Sequence, residues 1–109
     1  MTSPLHGAMT CHMPLFVLLG RDGVRGVELR KLHRDAHLQN LQRLVDDERV
    51  VFAGPLRDGQ GVPRGSVVVF AAPDLDSARR IADGDPYTRE GVFESVEVFE
   101  TLQVFPKPS

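Results

Sequence analysis

His37 and the Asp85-Pro86-Tyr87 tripeptide are the residues of this chain best suited to chemistry. Imidazole is the one side chain whose ordinary pKa lets it exchange a proton near neutrality, so what its two nitrogens face decides what it does. From Arg30 to Leu44 the apolar residues recur at helical spacing, and His37, Leu41 and Leu44 share one stripe with Leu38 and Val45 beside it. A ring on the apolar side of a helix needs a partner, because an unsatisfied buried polar group costs ~1–3 kcal/mol. An aspartate facing one nitrogen would fix the tautomer and leave the other free to take a proton from a small acid or phenol. Such a base suits elimination, isomerisation or lactone-type chemistry. Plainer readings stand beside it. His37 serves equally as a packed core histidine satisfied by backbone groups. An Asp before a Pro at the first helical position is a good N-cap. The two readings of Asp85 are compatible, since one carboxylate oxygen can cap while the other meets an imidazole.

The remaining polar candidates fall around this pair. Ser66 has no base beside it and follows a glycine at a strand start rather than a strand-to-helix elbow, so it reads as polar lining or as a turn residue, not a nucleophile. Arg34 could orient an anionic group at a cleft rim or stand in solvent. Tyr87 could line a pocket or merely pack, and Pro55 joins the candidate binding residues. His33 and His37 are four apart, but Arg34 stands where the zinc-peptidase pattern has Glu, and no third ligand is placed. No metal or other cofactor is expected. The match of His33-Arg34-Asp35…Asn40 to the kinase catalytic loop is formal only: these residues lie in a helix, and the glycine loop and D-F-G are missing. Gly59, Gly61 and Gly65 lack dinucleotide-loop spacing and mark a turn.

The elements that must position these residues follow from pattern. Leu15 to Leu19 is a continuous apolar run closed by Gly20, a buried strand, and Asp22-Gly23 marks a turn. A helix is expected from about Val27 to Asp47, with Leu29, Leu32, Ala36, Leu41, Leu44 and Val45 apolar. Val50 to Ala53 is a second strand stopped by Gly54-Pro55, the stretch from Arg57 to Arg64 is a connection, and Val67 to Ala71 is a third strand. Pro73-Asp74 opens a helix over Leu75 to Ala82, Asp85-Pro86 starts one more helical turn, and Val92 to Phe105 is a long last strand. The order is β-α-β-β-α-β, an α+β, ferredoxin-like four-stranded antiparallel sheet with two helices on one face. The other face should be polar, yet strands one and three are apolar at every position, so both faces are expected to be buried. A second copy packed sheet against sheet in a two-fold homodimer is the simplest cover.

On this scaffold the chain resembles the YCII-related (YciI-like) family of the dimeric α+β-barrel superfamily. The resemblance rests on Arg34-x-x-His37-Leu38, Ala53-Gly54-Pro55, Gly65-Ser66 and Ala82-x-x-Asp85-Pro86-Tyr87, in register from about Leu15 to Phe105. It implies a catalytic dyad of His37 and Asp85 and a homodimer with a cleft beside each first helix. One relative is a dehydrochlorinase acting on a chlorinated hydroxyquinol, so the implied activity is acid/base chemistry on a small acidic or phenolic substrate. The competing expectation is a non-catalytic metabolite-binding or interaction module using the same cleft.

Composition bounds the rest. The chain has 109 residues, a net charge of -2 and 41% hydrophobic residues, which suits one domain over residues 13–109. Lys and Arg never gather into a phosphate-binding stripe, which argues against nucleic acid, and no apolar run reaches the roughly 18 residues of a membrane span. A lone Cys11 forbids an internal disulfide and suits the cytoplasm. Residues 1–12 read as a disordered extension rather than a signal peptide, with Met13 a candidate start; His6, Cys11 and His12 are not expected to hold a metal.

Overall fold

The computed structural model describes residues 13–108. The expectations for residues 1–12 lie outside them. In chain order the elements are β1 (Leu15–Asp22), α1 (Gly26–Asp46), β2 (Val50–Arg57), β3 (Pro63–Ala71), α2 (Leu75–Gly84), the single turn α3 (Pro86–Arg89) and β4 (Phe93–Thr101). All sheet pairings are antiparallel and the strand order is β2-β3-β1-β4, the ferredoxin-like arrangement expected from the βαββαβ pattern.

The register explains which residues reach the helices. Phe16 lies opposite Phe70 and Leu18 opposite Val68, and all four are buried. They form the core with Ala72, Ala78, Ala82, Tyr87, Val92 and Phe93. Ala78 and Ala82 are small enough to seat α2 close to the sheet, and Asp74 caps its start by accepting from the Ser77 amide at 2.8 Å. The alternate residues Leu15, Val17, Leu19, Val67 and Val69 point to the opposite face, where they are only partly covered. The expectation that both faces are buried is therefore not met within one chain. At the middle of the open face, Val17 and Val69 are flanked by Phe52 and Phe99, which are 56% and 51% exposed.

The ends of four strands differ from the expected ones. Gly20 does not close β1, which pairs on both sides as far as Arg21 and runs to Asp22. Gly54-Pro55 does not stop β2, which continues to Arg57. Pro55 is tolerated because β2 is an edge strand, where a missing N–H on the outer side breaks no ladder bond. Gly65-Ser66 does not open β3, which already starts at Pro63. The connection shrinks to a short hairpin in which Asp58 accepts from the amides of Gln60 and Val62. β4 ends at Thr101 rather than Phe105, because Leu15, its last partner, is the first residue of β1. The apolar stripe of α1 is also incomplete: Leu29 and Leu41 pack against the core, but Leu32 is 68% exposed and Ala36 is exposed.

Candidate active site

Three elements bring the site together. His37 projects from the middle of α1, and Asp85 sits in the one-residue junction between α2 and α3, ending one helix and capping the next. The Asp85 Oδ1 accepts from the Tyr87 amide at 2.8 Å, with Pro86 in the first helical position where its missing N–H costs nothing. The same carboxylate meets His37: Nδ1 is 2.8 Å from Oδ1 and 3.0 Å from Oδ2. Capping and imidazole contact thus coexist, but they share Oδ1 instead of dividing between the two oxygens. Both side chains are buried, with relative exposures of 9% and 4%.

Because a carboxylate only accepts, this contact assigns a proton to Nδ1, so in the neutral form of the ring the lone pair lies on Nε2. Nε2 has no hydrogen-bond partner among the described residues and is not sealed from solvent. His37 is part of the wall of a cleft of about 460 Å³ between α1 and the β2–β3 hairpin. The Tyr87 ring stacks on the imidazole with centroids 3.8 Å apart and planes 4° from parallel, and its edge meets Phe93. The ring plane of His37 is therefore set by Tyr87 and its rotation by Asp85. Burial pushes the Tyr87 phenol above its ordinary pKa, partly opposed by the charges of Arg30 and Arg34, so it stays neutral at physiological pH.

The other expected residues also come to this cleft. Ser66 is buried in its wall, Pro55 and Tyr87 line it, and the exposed Arg34 lines it from α1. His33 is half-buried and does not line the cleft, and among the described residues no group of three His, Cys, Asp or Glu could hold a metal ion. No described helix is long and apolar enough to cross a membrane.

Sequence reasoning missed Arg30 and Asp22. Arg30 is seven residues before His37, two helical turns along the same face, and that spacing was the available signal. Its Nε and Nη2 donate to the two oxygens of Asp22 at 2.6 and 2.9 Å, a nearly buried bidentate pair. Nη2 also reaches the Gly65 carbonyl at 2.7 Å and Ser66 Oγ at 3.0 Å, and the guanidinium carbon lies 5.0 Å from the Tyr87 ring centroid. Asp22 was read only as a turn residue. Nothing local to it announces that β1 ends beneath the start of α1.

Comparison with known proteins agrees with this architecture. Residues 14–102 match the YCII-related domain. The chain is 36% identical over 97 residues to protein YciI of Escherichia coli O6:H1, covering 84% of this chain and 99% of that protein. It is 29% identical over 96 residues to an uncharacterized protein of Haemophilus influenzae, covering 83% and 98%. Among solved structures it is similar to 5-chloro-2-hydroxyhydroquinone dehydrochlorinase of Burkholderia phenoliruptrix AC1100 in complex with 2,5-dihydroxybenzoquinone. That likeness has a TM-score of 0.74 at 22% identity, over 82% of this chain and 94% of the other, and shows a shared fold. With the whole β-sheet and all three helices inside the matched region, the chain belongs to the YCII-related family.

Proposed function

We propose that this protein is a small-molecule enzyme in which His37 is a general base oriented by Asp85, acting on a small acidic or phenolic substrate. The observation that carries the proposal is the asymmetry of the imidazole. Nδ1 is fixed by a buried carboxylate, while Nε2 has no hydrogen-bond partner among the described residues and His37 lines a cleft. In that position Nε2 can take a proton from a bound hydroxyl or acidic C–H. Return of the proton to another atom gives isomerisation. Expulsion of a leaving group by the released electron pair gives elimination, with loss of HX. The cleft favours such substrates, since its lining combines the apolar Pro55, Pro63, Val68 and Leu41 with Arg30, Lys31 and Arg34 and includes no acidic residue. The similar fold of a dehydrochlorinase adds support for the elimination branch.

The same proposal includes a homodimer through the open sheet face. Phe52, Val17, Val69 and Phe99 form an apolar band that one chain leaves half uncovered, and an antiparallel sheet with such a band calls for an apolar partner. A second copy offers the same band under a two-fold operator.

The test is turnover of 5-chloro-2-hydroxyhydroquinone and a panel of small phenols and carboxylic acids, followed by chloride release and absorbance. Wild type is expected to convert at least one compound. The His37→Gln variant should stay folded and lose ~10²–10⁴-fold in rate, the usual worth of a positioned base. A variant that keeps the rate removes His37 from the chemistry. A wild type that binds a compound and releases it unchanged identifies a metabolite-binding module instead.

A further inference from the structure

We infer that Ser66, polarised by Arg30, is the oxyanion-binding pole of the cleft, so that the substrate is a small phenolate or enolate whose charged oxygen accepts from the Ser66 hydroxyl. This deepens the proposed acid/base reading and rests on it for the identity of the reacting site.

The inference comes from an incomplete hydrogen-bond account. Ser66 Oγ accepts from Arg30 Nη2 at 3.0 Å. A serine hydroxyl can also donate once. Among the described residues that proton has no acceptor, although Ser66 is 4% exposed. Buried hydroxyls ordinarily find partners, so a donor left over on a cleft wall is a place for a ligand acceptor. The guanidinium repeats the pattern. Nε and Nη2 are committed to Asp22, Gly65 and Ser66, while Nη1 has no hydrogen-bond partner among the described residues and is not sealed from solvent. Arg30 therefore lends its hydrogen bond to Ser66 and keeps a second donor group at the same wall.

Charge selects the kind of acceptor. Asp22 offsets Arg30, but Lys31 and Arg34 line the same cleft with no carboxylate to offset them there. A charge-assisted O–H in such surroundings prefers a negative oxygen to a neutral one. Apolar surface from Val68, Pro55 and Pro63 suits a flat ring carrying that oxygen. Arg30 acts mainly as a positioning residue, through Ser66, and Asp22 holds Arg30 in place.

Binding of two ring-matched probes tests this. In 2,5-dihydroxybenzoquinone each hydroxyl is a vinylogous acid and ionises readily; 2,5-dimethoxybenzoquinone has the same ring and no ionisable oxygen. Wild type should bind the dihydroxy compound more tightly. Ser66→Ala should weaken that binding by about tenfold to a hundredfold, the range for a hydrogen bond to a charged group, and leave the dimethoxy compound unaffected. Ser66→Thr, which keeps the hydroxyl, should restore the preference, and Arg30→Lys should reduce it. A merely structural Ser66 would shift both probes together. Retention of the anion preference in Ser66→Ala overturns the inference, as does a wild type that binds neither probe. His37→Gln alters the base rather than the Ser66 hydroxyl, so it is read by turnover and not by this binding comparison, and the base proposal is judged separately.

Discussion

Asp85→Asn isolates what the carboxylate does for His37, and the geometry gives the outcome. The His37 Nδ1 lies within 3.0 Å of both Asp85 oxygens, so either orientation of an asparagine amide brings its NH2 group to Nδ1. If the amide oxygen keeps the Oδ1 position, the Tyr87 amide retains its cap, but the NH2 group faces the Nδ1 proton. The amide oxygen, also near Nδ1, is a neutral acceptor already shared with the Tyr87 N–H, so opposition between the NH2 group and the Nδ1 proton favours moving that proton to Nε2, with Nδ1 as the acceptor. If the amide flips, its NH2 group also opposes the Tyr87 N–H, 2.8 Å away in the wild type, and the cap is lost as well. The first orientation is favoured. It exchanges one charge-assisted hydrogen bond for a neutral one and should cost only about 1–2 kcal/mol of stability. Its effect on function is far larger, because Nε2 then carries a proton and no lone pair. The ring-nitrogen chemical shifts of His37 read the tautomer directly, with assignment among the four histidines made by comparison with His37→Gln. Wild type at alkaline pH should show protonated Nδ1, and Asp85→Asn protonated Nε2, with turnover reduced at least ~10²-fold. Urea unfolding should show the small stability loss. A variant that keeps protonated Nδ1 or wild-type turnover refutes the argument that Asp85 sets the tautomer.

Three further outcomes follow from other parts of the structure. Phe52→Asp and Phe99→Asp place charges in the apolar band of the open sheet face and should each raise the Kd of the proposed dimer at least ~tenfold, since a buried Phe contributes ~1.5–3 kcal/mol; sedimentation equilibrium measures this, and an unchanged mass distribution removes that face from the interface. Tyr87 is the sole tyrosine and the chain has no tryptophan, so tyrosinate absorbance monitors it alone. Its folded pKa is raised by burial, so its contribution to stability is complete below the ordinary value near 10.0 and is lost as pH rises through the folded value. The native absorbance change should therefore fall at higher pH than in urea, and coincident titrations would contradict the burial. Gly26→Ala puts a Cβ 2.6 Å from Asp22 Oδ2, a carboxylate held by Arg30, and should destabilise the fold by about 1–3 kcal/mol while weakening oxyanion binding; a melting temperature and affinity equal to wild type would show that the Asp22–Arg30 pair has slack.

Much of this was legible in the sequence because the signals were local. A continuous apolar run gives β1, a long 3.6-residue periodicity gives α1, and Asp85-Pro86 announces α3 through capping chemistry. The pairing of His37 with Asp85 needed the family resemblance as well, since 48 residues separate them and no spacing rule spans that distance. What escaped was set by neighbours distant in sequence. Pro55 looks like a strand terminator until β2 is known to be an edge, and β4 loses its last residues only because β1 begins at Leu15. Leu32 fits the apolar period of α1, yet it lies on a part of the helix that the sheet does not reach. Arg30 and Asp22 look like ordinary surface charges in isolation. Their burial follows from the end of β1 passing beneath the first turns of α1.

The loose seating of α1 is what makes the site possible. Of its 21 residues only Gly26 and His37 are buried. Helices packed ridge into groove close the space beside them, and a fully apolar face on α1 would have filled the volume now left as the cleft. The helix is instead pinned by two polar contacts, Arg30 to Asp22 and Ser66 near its start, and His37 to Asp85 at its middle. Apolar contacts tolerate small rotations, whereas a bidentate guanidinium and an imidazole between two carboxylate oxygens fix direction as well as distance. Tyr87 ties the pins together, since its ring stacks on His37 and lies 5.0 Å from the Arg30 guanidinium carbon. The groups that would take a proton and receive an oxyanion are thus the groups that hold the helix. Their geometry can be rigid while the wall between them stays open, which is what the proposed chemistry requires of the cleft.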